Sequence, residues 1–248
     1  MNRLPTTLQL FSGIQKFASK PHYCLCVGAR PGFGMHGWTR FQRLYRLGLI
    51  NYIFFEPDHD ACSDLMQNKI PKYLFHWRWG ESKTYKDAIG KRQSNRSFYI
   101  LNEIDCSSLL MPTTDRLIVG EKEIDLTIKR TISITTKPLA DYIPEIIGVP
   151  FLLQVDTQGT ELEVIESLGD YIKNIAIIDC EISNNPFYQL APNADEVCQS
   201  LLGHGFRLYS MKPQFQSGNL IESNAIFVNE KLEHLPQTQL ALKFIIFQ

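Results

Sequence analysis

Glycines 28, 32 and 34 of the segment VGARPGFG follow a short apolar run that begins at Tyr23. Their GxxxGxG spacing is not the GxGxxG of a dinucleotide site, which disfavours a nicotinamide cofactor. Glycines there still let the backbone approach a ligand at the carboxyl edge of a doubly wound sheet. Glu56 ends the next apolar run, NYIFFEPD, 24 residues beyond Gly32. A carboxylate there offers two oxygens to the vicinal hydroxyls of a ribose, so glycine loop and acid together point to an adenosine-containing ligand. A third cluster is QVDTQGTELEVIESL, where Asp156 ends an apolar strand and Glu161 falls in the first turn of a helix. Alone, Asp156 or Thr157 reads as a helix cap, and Glu161 as an acid favoured by the positive end of the helix dipole. Glu56 and Glu181 leave the same sheet edge, which makes Asp156 and Glu161 candidates for acid–base work on a bound substrate. His36, after the glycines, is either another such candidate or a solvated loop histidine.

The elements that must position these residues alternate strand and helix. Tyr23–Gly28 and 51–58 read as strands, the second closed by Pro57; a helix is expected over Trp38–Leu47. Asp58 can cap a helix carrying Ala61, Leu65 and Met66, and Tyr73–His76 is the expected third strand. From about 77 to 140 the alternation lapses into an insertion of strands and loops, with RSFYIL (96–101) and LTIKRTISITT (126–136) as a candidate hairpin. It resumes with PFLLQVD (150–156), a helix through Thr160–Ile172 and the strand NIAIIDCEI (174–182). Asn193 and Glu196 have capping-box spacing before a helix that Gly203 and Gly205 end, and FRLYSM (206–211) with AIFV (225–228) reads as an antiparallel pair. The fold class expected is a doubly wound, Rossmann-like α/β sheet with a terminal antiparallel hairpin. One domain over 23–230 is expected, with an N-terminal extension (1–22) and an apolar C-terminal tail (231–248).

Composition narrows the class. The 248 residues carry 25 Lys+Arg against 26 Asp+Glu, which argues against a protein built to cover nucleic acid or an anionic membrane. The basic run 83–96 reads as a solvated loop. Six cysteines without a CxxC, and an N-terminus lacking a sustained apolar core, point to reduced thiols and a cytoplasmic location. No apolar run approaches the roughly 20 residues that span a bilayer. Cys24 and Cys26, two apart on a strand, read as small buried hydrophobes, and the six histidines show no ligand spacing, so no metal is expected. The tail LALKFIIFQ (240–248) can pack on its own domain, form a homodimer contact or touch a membrane surface.

Several of these segments together resemble the FkbM-type S-adenosylmethionine-dependent methyltransferases. LLQVDTQGTELEVIESL is similar to the family's K-I-D-x-x-G-x-E segment, and IAIIDCEISNNPFY to its following strand. VGARPG with FEPD resembles the cofactor loop and ribose acid, SFYILNEIDCSSLLMP (97–112) a central segment with paired serines, and KPLADYI (137–143) the T-L-D stretch. The likeness runs in order from about Tyr23 to Met211. It implies a class I methyltransferase sheet and S-adenosyl-L-methionine as cofactor, held by Val27, Gly28, Ala29, Gly32, Glu56, Pro57 and Asp156. It also implies methyl transfer to a hydroxyl, with a sugar, glycan or other small molecule as acceptor and Asp156, Glu161 and His36 as catalytic candidates. Two positions depart from the family: Cys26 stands where it has Asp, and Gln154 where it has Lys. A non-catalytic binding module that has lost normal cofactor affinity is the alternative those departures raise.

Overall fold

The computed structural model describes residues 20–29, 41–67, 81–119, 122–146, 149–184, 187–216 and 219–246. Strands β1 (His22–Val27), β2 (Asn51–Phe55) and β3 (Ser82–Tyr85) run parallel, each beside the one before it. The excursion that follows holds β4 (Ala88–Ile89), β5 (Ser94–Leu101), β6 (Arg116–Val119), β7 (Lys122–Asp125) and β8 (Ile128–Lys137). The chain then returns to the free side of β1 with β9 (Val149–Val155), followed by β10 (Ile177–Ser183), both parallel to it. A hairpin of β11 (Phe206–Gln216) and β12 (Asn219–Asn229) completes the sheet, β12 pairing antiparallel with β10. The seven-stranded order is β3-β2-β1-β9-β10-β12-β11, so the direction of winding reverses between β1 and β9. This is the doubly wound α/β sheet with a terminal hairpin that the alternation implied.

Both faces of the central strands are buried, which is why they read as largely apolar segments and not as alternating ones. Leu25, Val27, Ile53, Phe55, Leu153 and Ile178 pack on one face. Against them lie helices α3 (Glu161–Glu166) and α4 (Ala194–Gly203), through Val164, Ile165, Val197 and Leu201. Cys24, Cys26, Tyr52 and Phe54 face the other way, toward α1 (Gln42–Arg46) and α5 (Pro236–Ile246). The two cysteines are thus buried on one side, as the period-two spacing implied. Helix α2 (His59–Gln67) begins after Asp58, whose carboxylate accepts from the Asp60 N–H at 3.0 Å. The capping box of α4 forms with both of its hydrogen bonds, Asn193 with Glu196.

Two expectations need correction. The strand beside β2 is Ser82–Tyr85, inside the stretch assigned to the insertion; Tyr73–His76 lies outside the described residues. This edge strand is short and polar, so no apolar run announces it. The insertion therefore starts after Tyr85 and forms a β4-β8-β5 sheet and a β6–β7 hairpin, with β5 and β8 antiparallel as the candidate hairpin implied. Its basic residues are not a free loop: Arg96 pairs with Glu163 at 2.7 Å and Lys91 with Glu166 at 2.9 Å, tying the insertion to α3. The tail's apolar side chains Leu240, Ala241, Leu242 and Ile245 are buried against the chain's own sheet, the first of the readings that its sequence left open.

Winding reversal needs the loops leaving β1 and β9 to pass at very short range. Gly28 has φ +76°, and a Cβ there would stand 1.7 Å from the Asp156 carbonyl oxygen. Gly28→Ala is expected to lose at least about 1–3 kcal/mol from the backbone conformation alone, with the steric clash added to it. Urea unfolding checks this, and an unchanged midpoint would contradict the close approach.

Candidate active site

Strand register sets the site. Val27 is level with Phe55 and Val155, Phe55 with Tyr85, and Val155 with Cys180. The residues that follow, Gly28, Glu56, Asp156 and Glu181, therefore leave the carboxyl edge in one row. Main-chain hydrogen bonds continue past the strands: Gly28 N–H donates to Phe55, Glu56 N–H to Tyr85 and Asp156 N–H to Val27, each at 3.1 Å. Above the β1/β9 reversal opens a cleft of about 580 Å³. Its floor is Val27 and Gly28, one end is Glu56 and Pro57, the other Asp156 and Thr157, and the insertion supplies Ile89, Phe98 and Leu109 as an apolar wall. Asp87 and Asp105 also line it, so four carboxylates face the space. Among the described lining residues there is no Lys, Arg or His.

Glu56 is 3% exposed, and one of its oxygens accepts from the Asp58 N–H at 2.8 Å, which fixes the carboxylate at the start of α2. Asp156 opens on the cleft and caps no helix. Its Oδ1 accepts from the Gln158 side-chain amide at 2.8 Å, and the N-cap of α3 is Thr160, without a side-chain cap bond. Glu161 supplies what a cap would. Its carboxylate accepts from the N–H groups of Thr157, at 2.9 Å, and Gly159, at 3.0 Å, and from the Thr157 hydroxyl at 3.2 Å. The structure thus separates the two acids paired by sequence: Asp156 lines the cleft, while Glu161 holds its own loop and faces a second cavity.

That second cavity, about 360 Å³, lies across Gln158 and is lined by Glu161, Glu181, Glu222, Ser183, Phe187 and Tyr188 among others. Loss of hydration pushes the carboxyls of the buried Glu161, the partly buried Glu181 and, although it is open to the cleft, Asp156 above the ordinary range, and neighbouring acids add to it. For Asp156 and Glu181 the Gln158 amide pulls the other way; for Glu161 the loop N–H groups do. Glu222 is pushed up to about 7, by burial first and then by Asp156 and Glu161.

Of the other residues singled out by sequence, Val27 and Pro57 line the cleft and Ala29 is buried in the core. Gly32 and His36 lie outside the described residues. Cys26 and Gln154 are register partners on β1 and β9, 2% and 8% exposed, and neither lines the cleft. Two uncharged residues thus stand side by side where the resemblance led one to expect Asp and Lys, and neither position holds a buried unpaired charge. The non-catalytic alternative rested on Cys26, whose side chain lies outside the lining. Sequence reasoning missed Glu222, Tyr188 and Gln158. Gln158 sits inside the cited VDTQGTE segment and has φ +58°, a conformation no sequence pattern marks.

Residues 27–208 match the Methyltransferase FkbM domain. The chain belongs to the FkbM methyltransferase family. It is an S-adenosylmethionine-dependent methyltransferase, and the matched span agrees with the segments that carried the resemblance. No curated protein sequence matches it. Among solved structures, magnesium protoporphyrin IX methyltransferase (ChlM) from Synechocystis PCC 6803 with bound SAM is 7% identical, covering 92% of this chain and 87% of that one at a TM-score of 0.43. TrmK of M. capricolum with S-adenosyl-homocysteine is also 7% identical, with 92% and 70% coverage and a TM-score of 0.41. Streptococcus pneumoniae Sp1610 with S-adenosyl-L-methionine is 13% identical, with 98% and 97% coverage and a TM-score of 0.40. These likenesses are loose, and the fold assignment rests on the strand order of the FkbM methyltransferase itself.

The cleft fits the cofactor. A glycine floor lets a ligand meet main chain, the apolar wall suits a purine, and carboxylates suit a diol, an ammonium and a sulfonium. Among the described residues no group of His, Cys, Asp and Glu is arranged to hold a metal ion, and no helix is long and apolar enough to cross a membrane.

The Glu222 carboxyl rises from 4.5 to about 7 in the folded chain, so the folded state binds its proton more tightly than the unfolded state does. Stability from this group is full below the unfolded value and is lost as pH rises toward 7. Glu222→Gln, which mimics the protonated form, is expected to unfold at a higher temperature than the wild type near pH 8, by a margin that shrinks near pH 4.5. Differential scanning calorimetry at the two pH values checks this; a margin independent of pH would contradict it.

Proposed function

We propose that this methyltransferase transfers its methyl group to a hydroxyl on a sugar, glycan or other small molecule. The observation that carries this reading is the make-up of the two cavities around Gln158: carboxylates, aromatic rings and a serine, with no Lys, Arg or His among the described lining residues. Such walls accept hydrogen bonds from neutral hydroxyl groups and repel phosphates, which also speaks against a nucleic-acid acceptor. When bound, S-adenosylmethionine supplies a methyl group already activated on a sulfonium. The protein's work is then to align the acceptor oxygen with that carbon and to take the hydroxyl proton as the C–O bond forms and the C–S bond breaks. Glu56 holds the ribose hydroxyls. Val27 and Gly28 support the cofactor from below, Pro57 closes one end, and Gly32 and His36 belong to the same loop by sequence. Asp156, open at the far end of the cleft, faces the reacting groups and receives the proton. Glu161 serves this site by holding the Thr157–Gly159 loop in place.

Two substitutions separate these roles. Glu56→Ala should weaken S-adenosylmethionine and S-adenosylhomocysteine binding by about 1.5–3 kcal/mol per hydrogen bond lost, read by isothermal titration with a nicotinamide dinucleotide as non-binding control. Asp156→Asn should leave that affinity nearly intact and slow transfer of labelled methyl to hydroxylated acceptors by about 10²–10⁴-fold. Unchanged cofactor binding in the first variant would overturn the ribose placement. An equal loss of affinity and turnover in the second would overturn the role of Asp156.

A further inference from the structure

One side chain divides the cofactor cleft from the second cavity. Gln158 lines both, and its side-chain amide and main-chain carbonyl are engaged. The two hydrogens of its amide go to different carboxylates, Asp156 Oδ1 at 2.8 Å and Glu181 Oε2 at 3.0 Å. The Tyr188 hydroxyl shares its one proton between two acceptors, the Cys106 carbonyl at 2.7 Å and, more weakly, the Gln158 side-chain carbonyl at 3.1 Å. The Gln158 main-chain carbonyl accepts from the Ser108 hydroxyl at 2.7 Å. Only the NH₂ end of an amide can face two carboxylates, so the chemistry of the neighbours fixes which way this one points.

The backbone is held in an unfavourable state to achieve this. Gln158 has φ +58°, rare for a residue with a long side chain, and Gly159 follows at φ +107°. Glu161, which takes the Gly159 N–H, and Ser108 hold that turn from either side. Strain kept by so many partners marks a conformation whose purpose is to place the side chain.

We propose that Gln158 is a positioning residue: it clamps Asp156 and Glu181 on one amide and, oriented by Tyr188, keeps the Asp156 carboxylate ionised and facing the cleft. This rests on the reading of Asp156 as the proton acceptor. The need for the clamp is electrostatic. Asp156 and Glu181 are faced by Asp105 from the turn after β5, Glu161 from α3 and Glu222 from β12, and by the thiols of Cys106 and Cys180, while the Cys26 thiol lies within electrostatic range of Asp156 from the other side of the sheet. None of these favours an ionised carboxylate. Two amide hydrogens shared between two acids offset lost hydration and mutual repulsion at once, and one acid alone would leave half of the donor capacity unused. Tyr188 is a durable orienting group, because burial drives its ionisation upward and keeps its proton in place.

The test is a carboxyl-carbon NMR titration of the full chain, with Asp156 and Glu181 assigned by substitution. In Gln158→Leu the apparent pKa values of the pair should rise by about one unit or more. Tyr188→Phe should shift them the same way by less, and Gln158→Asn, too short to bridge both acids, should restore at most one of them. Thermal unfolding of each variant reports on folding separately, and if Gln158→Leu fails to fold, Tyr188→Phe and Gln158→Asn carry the same readout. Titration midpoints that stay at the wild-type values in folded variants would overturn the clamp. Because this readout needs no cofactor or acceptor, it can fail while methyl transfer through Asp156 stands, and it can succeed where S-adenosylmethionine titration of the wild type shows no binding.

Discussion

The geometry of this protein depends on the contact between Gly28 and the main chain of Asp156. A parallel sheet whose winding reverses must send two loops apart from adjacent strand ends, and here they part with the Gly28 Cβ position only 1.7 Å from a carbonyl oxygen. Only a residue without a side chain, in the left-handed region, satisfies that approach. Because Asp156 N–H also bonds back to Val27, the position of the Asp156 main chain follows from β1 and not from its own loop alone. The cleft between the glycine floor, Glu56 and Asp156 is the space that this reversal creates.

A second constraint is charge. Seven carboxylates line the two cavities at the carboxyl edge, Glu56, Asp87, Asp105, Asp156, Glu161, Glu181 and Glu222, an arrangement that costs stability unless they are paired, hydrogen-bonded or protonated. The last two remedies serve five of them. Glu56 takes a main-chain N–H, Glu161 takes those of its own loop, Asp156 and Glu181 share the Gln158 amide, and Glu222 holds its proton up to about pH 7. A concentration of negative potential of this kind suits a cationic methyl donor and a neutral acceptor, and it opposes anionic ones.

How much was legible in the sequence follows from how local each feature is. Buried strands announce themselves by apolar stretches, FLL within 149–155 and IAII leading into 177–183, and Asn193 and Glu196 stand at capping-box spacing, so both could be read directly. The third strand, SKTY, is an edge with half of its residues exposed and carries no such signal. Glu56 and Asp156 were recognisable because each is the residue next to a strand end. Glu222 was not, since it reaches the site from the antiparallel β12, where pairing with Ser183 depends on the register of a hairpin some 40 residues further on. The division of labour between Asp156 and Glu161 was hidden for a similar reason: a five-residue separation leaves the direction of each side chain to a turn with two successive positive φ values.

The central claim is that the methyl donor occupies the cleft over the β1/β9 reversal with its reacting end toward Asp156. A crystal structure of the protein with S-adenosylhomocysteine tests it most directly. The account predicts the ribose hydroxyls on Glu56, the purine against Ile89, Phe98 and Leu109, and the sulfur facing Asp156. A ligand seated in the cavity of Glu181 and Glu222, or one whose ribose lies away from Glu56, would contradict it.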